Sequence, residues 1–257
     1  MRTFEDLVAE GRTAPVEGWD FSWFAGRATE QRPSWGYAGL VGARMADARR
    51  VLDLQTGGGE VLATAAAAAA GAASPVDKLV ATEGWPPNAA LARERLAPLG
   101  GVVVEAAEDD PLPFEAGSFD LVVSRHPVVT DYAEVSRVLA AGGTYLSQQV
   151  GANSVRELYE FMMGPQPAGS VREPAGHRAA ATAAGLEVVD LRDEWLRMEF
   201  FDVAAVIVFL RKVIWTVPGF TVSAYADRLR ELHEKIFSDG PFVAHSRRFL
   251  IEAHKPA

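Results

Sequence analysis

A glycine-rich turn that follows an acid is the part of this sequence best suited to bind a ligand. The stretch VLDLQTGGGE at residues 51–60 contains a short apolar run, Asp53, and the consecutive glycines Gly57, Gly58 and Gly59 before an alanine-rich segment. A strand that leads through a glycine turn into a helix brings backbone N–H groups close to a ligand at the helix N-terminus. The pattern therefore predicts a ligand site at one edge of an α/β domain.

Further acids follow the next two predicted strands. Glu83 ends the run KLVATE, where its carboxylate could accept both hydroxyls of a ribose. The segment EAAEDDPLPF at 105–114 could read the edge of an adenine with its acids and backbone amides. Because ligands bind outside the carboxyl ends of parallel strands, these features together indicate a nucleoside-like ligand.

The charge around this mouth favours a cationic ligand. A pyrophosphate would need helix-terminal N–H groups without anions nearby, yet the same mouth carries Asp53, Glu60, Glu83, Glu108 and Asp109. The dinucleotide pattern G-x-G-x-x-G is also not met, because Leu62 stands at the place of its third glycine.

The elements that must position these residues alternate between strand and helix. Short apolar runs begin near residues 51, 78, 101, 119 and 143, and helical segments separate them. This rhythm predicts βαβ units and a doubly wound parallel sheet, to which LEVVDLRDEW and the last apolar run, near residue 245, add two strands. Asp131 and Glu134 predict one helix start, and Ser154 with Glu157 has the capping-box spacing of another.

The motifs in this order resemble class I S-adenosylmethionine-dependent methyltransferases. VLDLQTGGGE matches the glycine motif, TEGW the ribose acid, DDPLPFEAGSFDLVVSRH the adenine segment and fourth strand, and RVLAAGGTYLSQQ the following helix and strand. The similarity covers roughly residues 38–150. It implies a Rossmann-like, doubly wound seven-stranded α/β sheet, mostly parallel with an antiparallel C-terminal strand, and S-adenosyl-L-methionine as cofactor.

The resemblance also implies the cofactor contacts. Asp53, Gly57 and Gly59 would hold the methionine part, and Glu83 the ribose, with Gly84 and Trp85 beside the adenine. Gln55 replaces the family's first glycine, which leaves Gln55 and Thr56 able to touch the methionine end. Counting back from Leu112 favours Glu108 and Asp109 at the adenine edge, and Ser124 would lie under the sulfonium.

The acceptor side follows the fourth strand. His126 is the best candidate for a catalytic base, since imidazole titrates near neutral pH, although it could equally order the loop before Pro127. Arg125 either binds an anionic acceptor or pairs with a nearby acid, and one of Gln148 and Gln149 should face the site. Several aromatic residues either stack on the acceptor or pack as core: Trp19, Trp23, Trp35, Tyr37, Trp215 and Phe220.

Composition limits the remaining possibilities. The formal net charge of -9 argues against binding to a phosphate backbone, and the chain has no cysteine for a disulfide or thiol nucleophile. The histidine spacing suggests no metal site. The first residues lack the apolar core of a signal peptide, and the run at 203–210 is too short to span a bilayer, so we expect a cytoplasmic protein without membrane contact.

We therefore expect one methyltransferase domain over residues 1–257, with an N-terminal helical cap at 1–50, a cofactor-binding core at 51–150, and a C-terminal half at 151–257 with lid helices at about 202–238. It should transfer a methyl group to a small organic acceptor by in-line displacement, as a monomer or a homodimer whose contact face could be Val206–Leu210. The alternatives are a cofactor-binding interaction protein with weak turnover and, less favoured, an RNA methyltransferase or an NAD-dependent oxidoreductase.

Overall fold

The computed structural model describes residues 2–16, 21–69 and 76–257, and the chain divides into two compact units. The first unit combines Met1–Arg32, Ala152–Ser170 and Trp195–Arg247, and the second combines Pro33–Gly151, Val171–Glu194 and Arg248–Ala257. The stretch predicted to bind a cofactor therefore lies wholly in the second unit.

Strands and helices alternate through the middle of the chain, as the apolar runs predict. The strands are β1 Ala28–Glu30, β2 Arg50–Leu54, β3 Lys78–Glu83, β4 Gly101–Glu105, β5 Phe119–Arg125, β6 Leu139–Val150, β7 Glu187–Phe200 and β8 Phe242–His254. The helices are α1 Phe4–Thr13, α2 Tyr37–Met45, α3 Glu60–Ala69, α4 Pro86–Leu96, α5 Tyr132–Val138, α6 Arg156–Met163, α7 Pro174–Ala183, α8 Val203–Lys212 and α9 Ala226–Asp239.

The sheet has the strand order β1-β7-β8-β6-β5-β2-β3-β4. All neighbouring pairs from β6 to β4 are parallel, whereas β8 runs antiparallel to β6 and β1 antiparallel to β7. The predicted mostly parallel α/β sheet is confirmed. The predicted count of seven strands is too low by one, because β1 is a strand of three residues, too short to show alternation, in a segment predicted to be helical.

The core of the second unit lies on both faces of its sheet. Val51 and Leu121 pack with the helices α2 to α4, whereas the adjacent Leu52 and Val122 pack in a separate cluster with α5 and α7. Successive strand residues point to opposite faces, so a strand buried on both faces reads as a continuous apolar run. The alanine-rich segment forms α3 and lies close to α2, where a Cβ on Gly42 would come within 3.0 Å of the Ala65 carbonyl oxygen.

The first unit is built around α8. This helix is buried on almost all sides, and it packs so closely on α1 that a Cβ on Gly11 would lie 2.9 Å from Cβ of Ile207. The stretch Val206–Leu210 is buried within this unit, so it does not form the exposed dimer face considered from the sequence. In the described ranges, no helix combines the length and the apolar character that crossing a bilayer requires.

One of the two predicted helix caps forms. The Asp131 carboxylate accepts hydrogen bonds from the backbone N–H groups of Ala133 at 2.9 Å and Glu134 at 3.1 Å, which caps α5. The predicted capping box of Ser154 and Glu157 is wrong. The Ser154 hydroxyl accepts a hydrogen bond from the Arg247 backbone N–H, and the Glu157 carboxylate binds His245, so long-range partners take both side chains.

Candidate functional site

The glycine turn between β2 and α3 is fixed by backbone contacts to β3. The Thr56 N–H donates to the Thr82 carbonyl at 2.9 Å, and the Thr82 hydroxyl accepts from the Gln55 N–H at 3.2 Å. Gly57 and Gly59 have positive φ angles of 63° and 79°, a conformation in which glycine avoids the Cβ clash of other residues. The turn thus requires glycine at both positions.

Glu83 connects the glycine turn to the start of α4. One of its carboxylate oxygens accepts the Gly57 N–H at 2.8 Å, and the other accepts the Trp85 N–H at 3.0 Å. The residue is buried at the end of β3. Each carboxylate oxygen has a second lone pair, so the group can still accept hydrogen bonds from ligand hydroxyls. Trp85 is half-exposed beside it.

Asp53 is a second buried acid below the same turn. Its carboxylate accepts a hydrogen bond from the Thr56 hydroxyl at 2.6 Å. Burial, together with the smaller effect of the Glu83 charge, raises the pKa of Asp53 to about 7 against the opposing hydrogen bond from Thr56. Over the described ranges, neither acid forms an ion pair with a basic side chain. The base of the turn therefore holds two acids that no basic side chain of the described residues neutralises.

Gln55 directs its side chain to the loop after β5. Its amide nitrogen donates to the Val129 carbonyl at 2.7 Å, and its amide oxygen accepts from the Val128 N–H at 2.6 Å. Its φ angle of 55° is unusual for a residue with a Cβ. The two side-chain bonds hold this conformation, and they tie the glycine turn to residues 128–129.

The segment predicted to contact adenine lies beside Gly84. A Cβ on Gly84 would lie 3.0 Å from the Ala106 carbonyl oxygen and 3.4 Å from the Glu108 carboxyl carbon, so a larger residue would require these atoms to move by a few tenths of an ångström. Glu108 and Asp109 are exposed. The LPF turn that follows is held by α5, because Glu134 accepts the Leu112 N–H at 2.7 Å and Arg137 donates to the Phe114 carbonyl at 2.6 Å.

A small cavity of about 30 Å³ adjoins this segment. Of the predicted site residues, Gln55, Glu108 and Ser124 line it. Ser124 is buried, and its hydroxyl lies 2.8 Å from Ser147 Oγ and 3.1 Å from the Tyr145 hydroxyl. The Ser124 side chain thus belongs to a buried polar cluster on one face of the sheet.

His126 lies at the end of β5 in contact with β6. Its backbone has a φ angle of 55°, its N–H donates to the Gln148 carbonyl at 2.7 Å, and its Nε2 lies 2.9 Å from Gln148 Nε2. Burial and the charges of Arg248 and Arg125 lower the pKa of His126 well below its usual value. Arg125 itself is exposed and forms no ion pair with the part of the chain that the structure describes.

The aromatic residues predicted to stack on an acceptor differ in burial and do not all lie in the same unit. The Tyr37 hydroxyl is buried and donates to the carbonyls of Ser124 at 2.8 Å and Leu146 at 3.2 Å. Burial raises the pKa of Tyr37. Trp215 is half-exposed in the first unit, just after α8, and Trp19 lies outside the described residues.

Two residues of this region were missed from the sequence, and for a third, Trp35, the contact that it makes was not predicted. Thr82 binds two residues of the glycine turn, and its only sequence signal is its position before Glu83. Arg95 reaches from α4 to the Gly58 carbonyl and to Glu60. Trp35 donates its indole N–H to Gln148 Oε1 at 2.7 Å, and nothing in the sequence signals a contact across 113 positions.

Comparison with known proteins gives the family. The family model described as a methyltransferase domain matches residues 52–147, the segment that holds the glycine turn, Glu83 and β5. Residues 52–147 of this chain therefore form a methyltransferase domain. S-adenosyl-L-methionine is the cofactor of such domains.

Solved structures similar to this methyltransferase share its fold. The YcgJ protein from Bacillus subtilis has a TM-score of 0.61 at 18% identity, covering 86% of this chain and 98% of its own. The [4+2]-cyclase SpnF has a TM-score of 0.52 at 16% identity, covering 99% and 92%. A geranyl diphosphate methyltransferase in complex with SAM has a TM-score of 0.50 at 15% identity, covering 85% and 84%. A search of curated proteins finds no match.

The residues of the methyltransferase fit this cofactor chemically. The cofactor is a nucleoside with a positive sulfonium, and the turn presents two buried acids that form no ion pair with a basic side chain in the described part of the chain. Gly84 lets the segment 106–108 lie close to the end of β3 beside Glu83. In contrast, no group of metal-binding side chains is found in the parts of the chain that the structure describes.

Proposed function

We propose that this methyltransferase methylates a small organic acceptor. The observation that carries the proposal is the pair of buried acids Asp53 and Glu83 below the glycine turn, for which the described residues provide no basic side-chain partner. A positively charged nucleoside would supply that missing charge. The net charge of -9 supports a small acceptor over a nucleic acid, since binding to a phosphate backbone needs clustered basic residues.

In this proposal, several of the predicted site residues bind the cofactor or the acceptor. Glu83 accepts the ribose hydroxyls, and Gly57 and Gly59 let the backbone approach the methionine part, below which lie Asp53 and Thr56. Gly84, Trp85, Glu108 and Asp109 surround the adenine. Bound S-adenosylmethionine supplies the methyl group, and the protein holds the acceptor in line with it at a separation of about 3–3.5 Å. His126 and Arg125 contact the acceptor.

The test is acceptor-dependent formation of S-adenosylhomocysteine. The purified chain is incubated with S-adenosylmethionine and mixtures of small phenols, carboxylic acids, amines and thiols, with a total RNA preparation as a separate arm. Product formation in a small-molecule arm, lost in Glu83→Ala, supports the proposal. Product formation in the RNA arm alone would overturn it. Titration calorimetry compares the binding of S-adenosylmethionine with that of NAD. If only S-adenosylmethionine binds, the oxidoreductase alternative is excluded.

A second candidate function is cofactor binding with little turnover. It is favoured by Gln55, whose side chain stands where the family has a glycine and bridges the turn to residues 128–129. SpnF, which is described as a cyclase, has the same fold. The two functions differ in one measurement, because a protein of this second kind would bind S-adenosylmethionine but release no S-adenosylhomocysteine with any acceptor.

A further inference from the structure

The strongest unexplained feature of the site is a chain of hydrogen bonds that ends on His126. Trp35 and Gln148 are both buried, and the Trp35 indole N–H lies 2.7 Å from Gln148 Oε1. The indole N–H can only donate. Gln148 must therefore direct its amide oxygen toward Trp35, which leaves the amide nitrogen toward His126.

The amide nitrogen in turn determines which ring nitrogen of His126 carries the proton. Gln148 Nε2 can only donate, and it lies 2.9 Å from His126 Nε2. His126 Nε2 must then accept, so the proton of the neutral ring resides on Nδ1. Nδ1 has no hydrogen-bond partner among the described residues, and it is not sealed from solvent.

We propose that Trp35 and Gln148 are positioning residues that hold His126 as a neutral Nδ1–H donor, so that His126 donates a hydrogen bond to the methyl acceptor and does not remove its proton. This inference rests on the proposed function in so far as the partner of Nδ1 is the acceptor. The acceptor class that it fits carries an oxygen that is already ionised, such as a carboxylate or an acidic phenolate.

Two further features of the surroundings agree with a neutral donor. A base at Nδ1 would need the ring proton on Nε2. The Gln148 amide would then have to turn over, which would place its NH₂ group against the Trp35 N–H. The charged groups facing the ring are Arg125 from its own strand and Arg248 from β8, and both disfavour an imidazolium. Both cations also favour an anionic acceptor nearby.

The decisive experiment is ¹⁵N NMR of the histidine rings in the free protein, which needs no acceptor. His126 is assigned by the resonance lost in His126→Asn, and the other histidines serve as references. Wild type should show a protonated Nδ1 and an unprotonated Nε2 on His126 from pH 6 to 8. Gln148→Glu replaces the donor by a carboxylate, so it should move the proton to Nε2 and raise the pKa of the ring.

Trp35→Phe removes only the indole donor, so His126 should then populate both neutral ring forms. The matched control is Trp195→Phe, because Trp195 is a half-exposed residue of the first unit. An Nε2 proton in wild type would overturn the proposal, as would a ring form unchanged in both Gln148→Glu and Trp35→Phe. Circular dichroism confirms that each variant is folded. If the proposed function is wrong but this inference is right, His126 will carry its proton on Nδ1 while the protein forms no S-adenosylhomocysteine.

Activity provides a second readout. If His126 donates, the rate for an acidic phenol should follow the ionisation of that phenol, and Gln148→Glu should lower kcat by about tenfold or more because the ring nitrogen that faces the acceptor loses its proton. A rate that instead follows a group on the protein, and shifts with Gln148→Glu along the pKa of His126, would show that His126 is a base.

Discussion

At the scale of single residues, Glu83 carries the most specific prediction. It accepts the backbone N–H groups of Gly57 and Trp85, which leaves a second lone pair on each oxygen that can accept a hydrogen bond from the proposed ribose. Glu83→Ala should weaken S-adenosylmethionine binding at least tenfold, or about 1.4 kcal/mol, in titration calorimetry, because a buried ribose would lose a charge-assisted partner.

The matched control for this change is Glu105→Ala. Glu105 ends the neighbouring strand β4 opposite Glu83, but it is exposed and pairs with Arg93. The control should bind the cofactor with wild-type affinity. Equal affinities for wild type and Glu83→Ala would remove Glu83 from the cofactor site.

Asp53 makes stability and cofactor binding depend on pH in opposite directions. Because burial raises its pKa to about 7, the folded state holds a proton that the unfolded state releases near pH 4. The contribution of Asp53 to stability is therefore greatest at low pH and declines as pH rises from about 4 to 7. A cationic cofactor prefers the ionised carboxylate, so its affinity should increase over the upper part of that range.

Asp53→Asn should remove both dependences. The free variant should be more stable than wild type at pH 8, by on the order of 3 kcal/mol in urea unfolding, and the difference should shrink toward pH 5. The variant should also bind S-adenosylmethionine more weakly at pH 8 than wild type. A stability difference that does not change with pH would show that Asp53 has an ordinary pKa in the folded protein.

At the scale of elements, α5 links helix capping to the cofactor segment. Asp131 caps this helix, and Glu134 and Arg137 on it hold the LPF turn beside the adenine segment. Asp131→Ala should cost about 1 kcal/mol of stability, measured by thermal unfolding, because two N–H groups lose their acceptor. Asp227→Ala, in the first turn of α9, changes the same residue type without removing a cap, and it should cost much less. Equal losses would show that the Asp131 cap contributes nothing specific.

The sequence predicted the elements that local patterns determine. A glycine turn after an apolar run, an acid at the end of the next strand and the Asp131 cap all depend on residues within a few positions of each other, and they form as expected. The Ser154 and Glu157 box failed because Arg247 and His245, distant in the chain, compete for the same side chains. The Trp35 and Gln148 contact had no local signal for the same reason.

At the scale of the whole molecule, the open question is whether the two units unfold together. The strands β7 and β8 each contribute residues to both units, so the chain connects them twice through hydrogen-bonded elements. The prediction of a single domain over 1–257 therefore requires one cooperative transition, with equal calorimetric and van't Hoff enthalpies. Two separate transitions in scanning calorimetry would contradict that prediction, but they would not affect the assignment of the cofactor site.

Scanning calorimetry with the cofactor present tests the same prediction, because a ligand stabilises only the part of the chain that unfolds together with its binding site. At one hundred times its Kd, S-adenosylmethionine should add about 2.7 kcal/mol and raise the Tm by roughly 5–10 °C, whereas NAD at the same concentration should have no effect. A single transition that moves as a whole supports one domain. If two transitions appear, the one that moves must belong to the second unit, which contains the glycine turn. A shift with NAD, or none with S-adenosylmethionine, would contradict the assigned cofactor site.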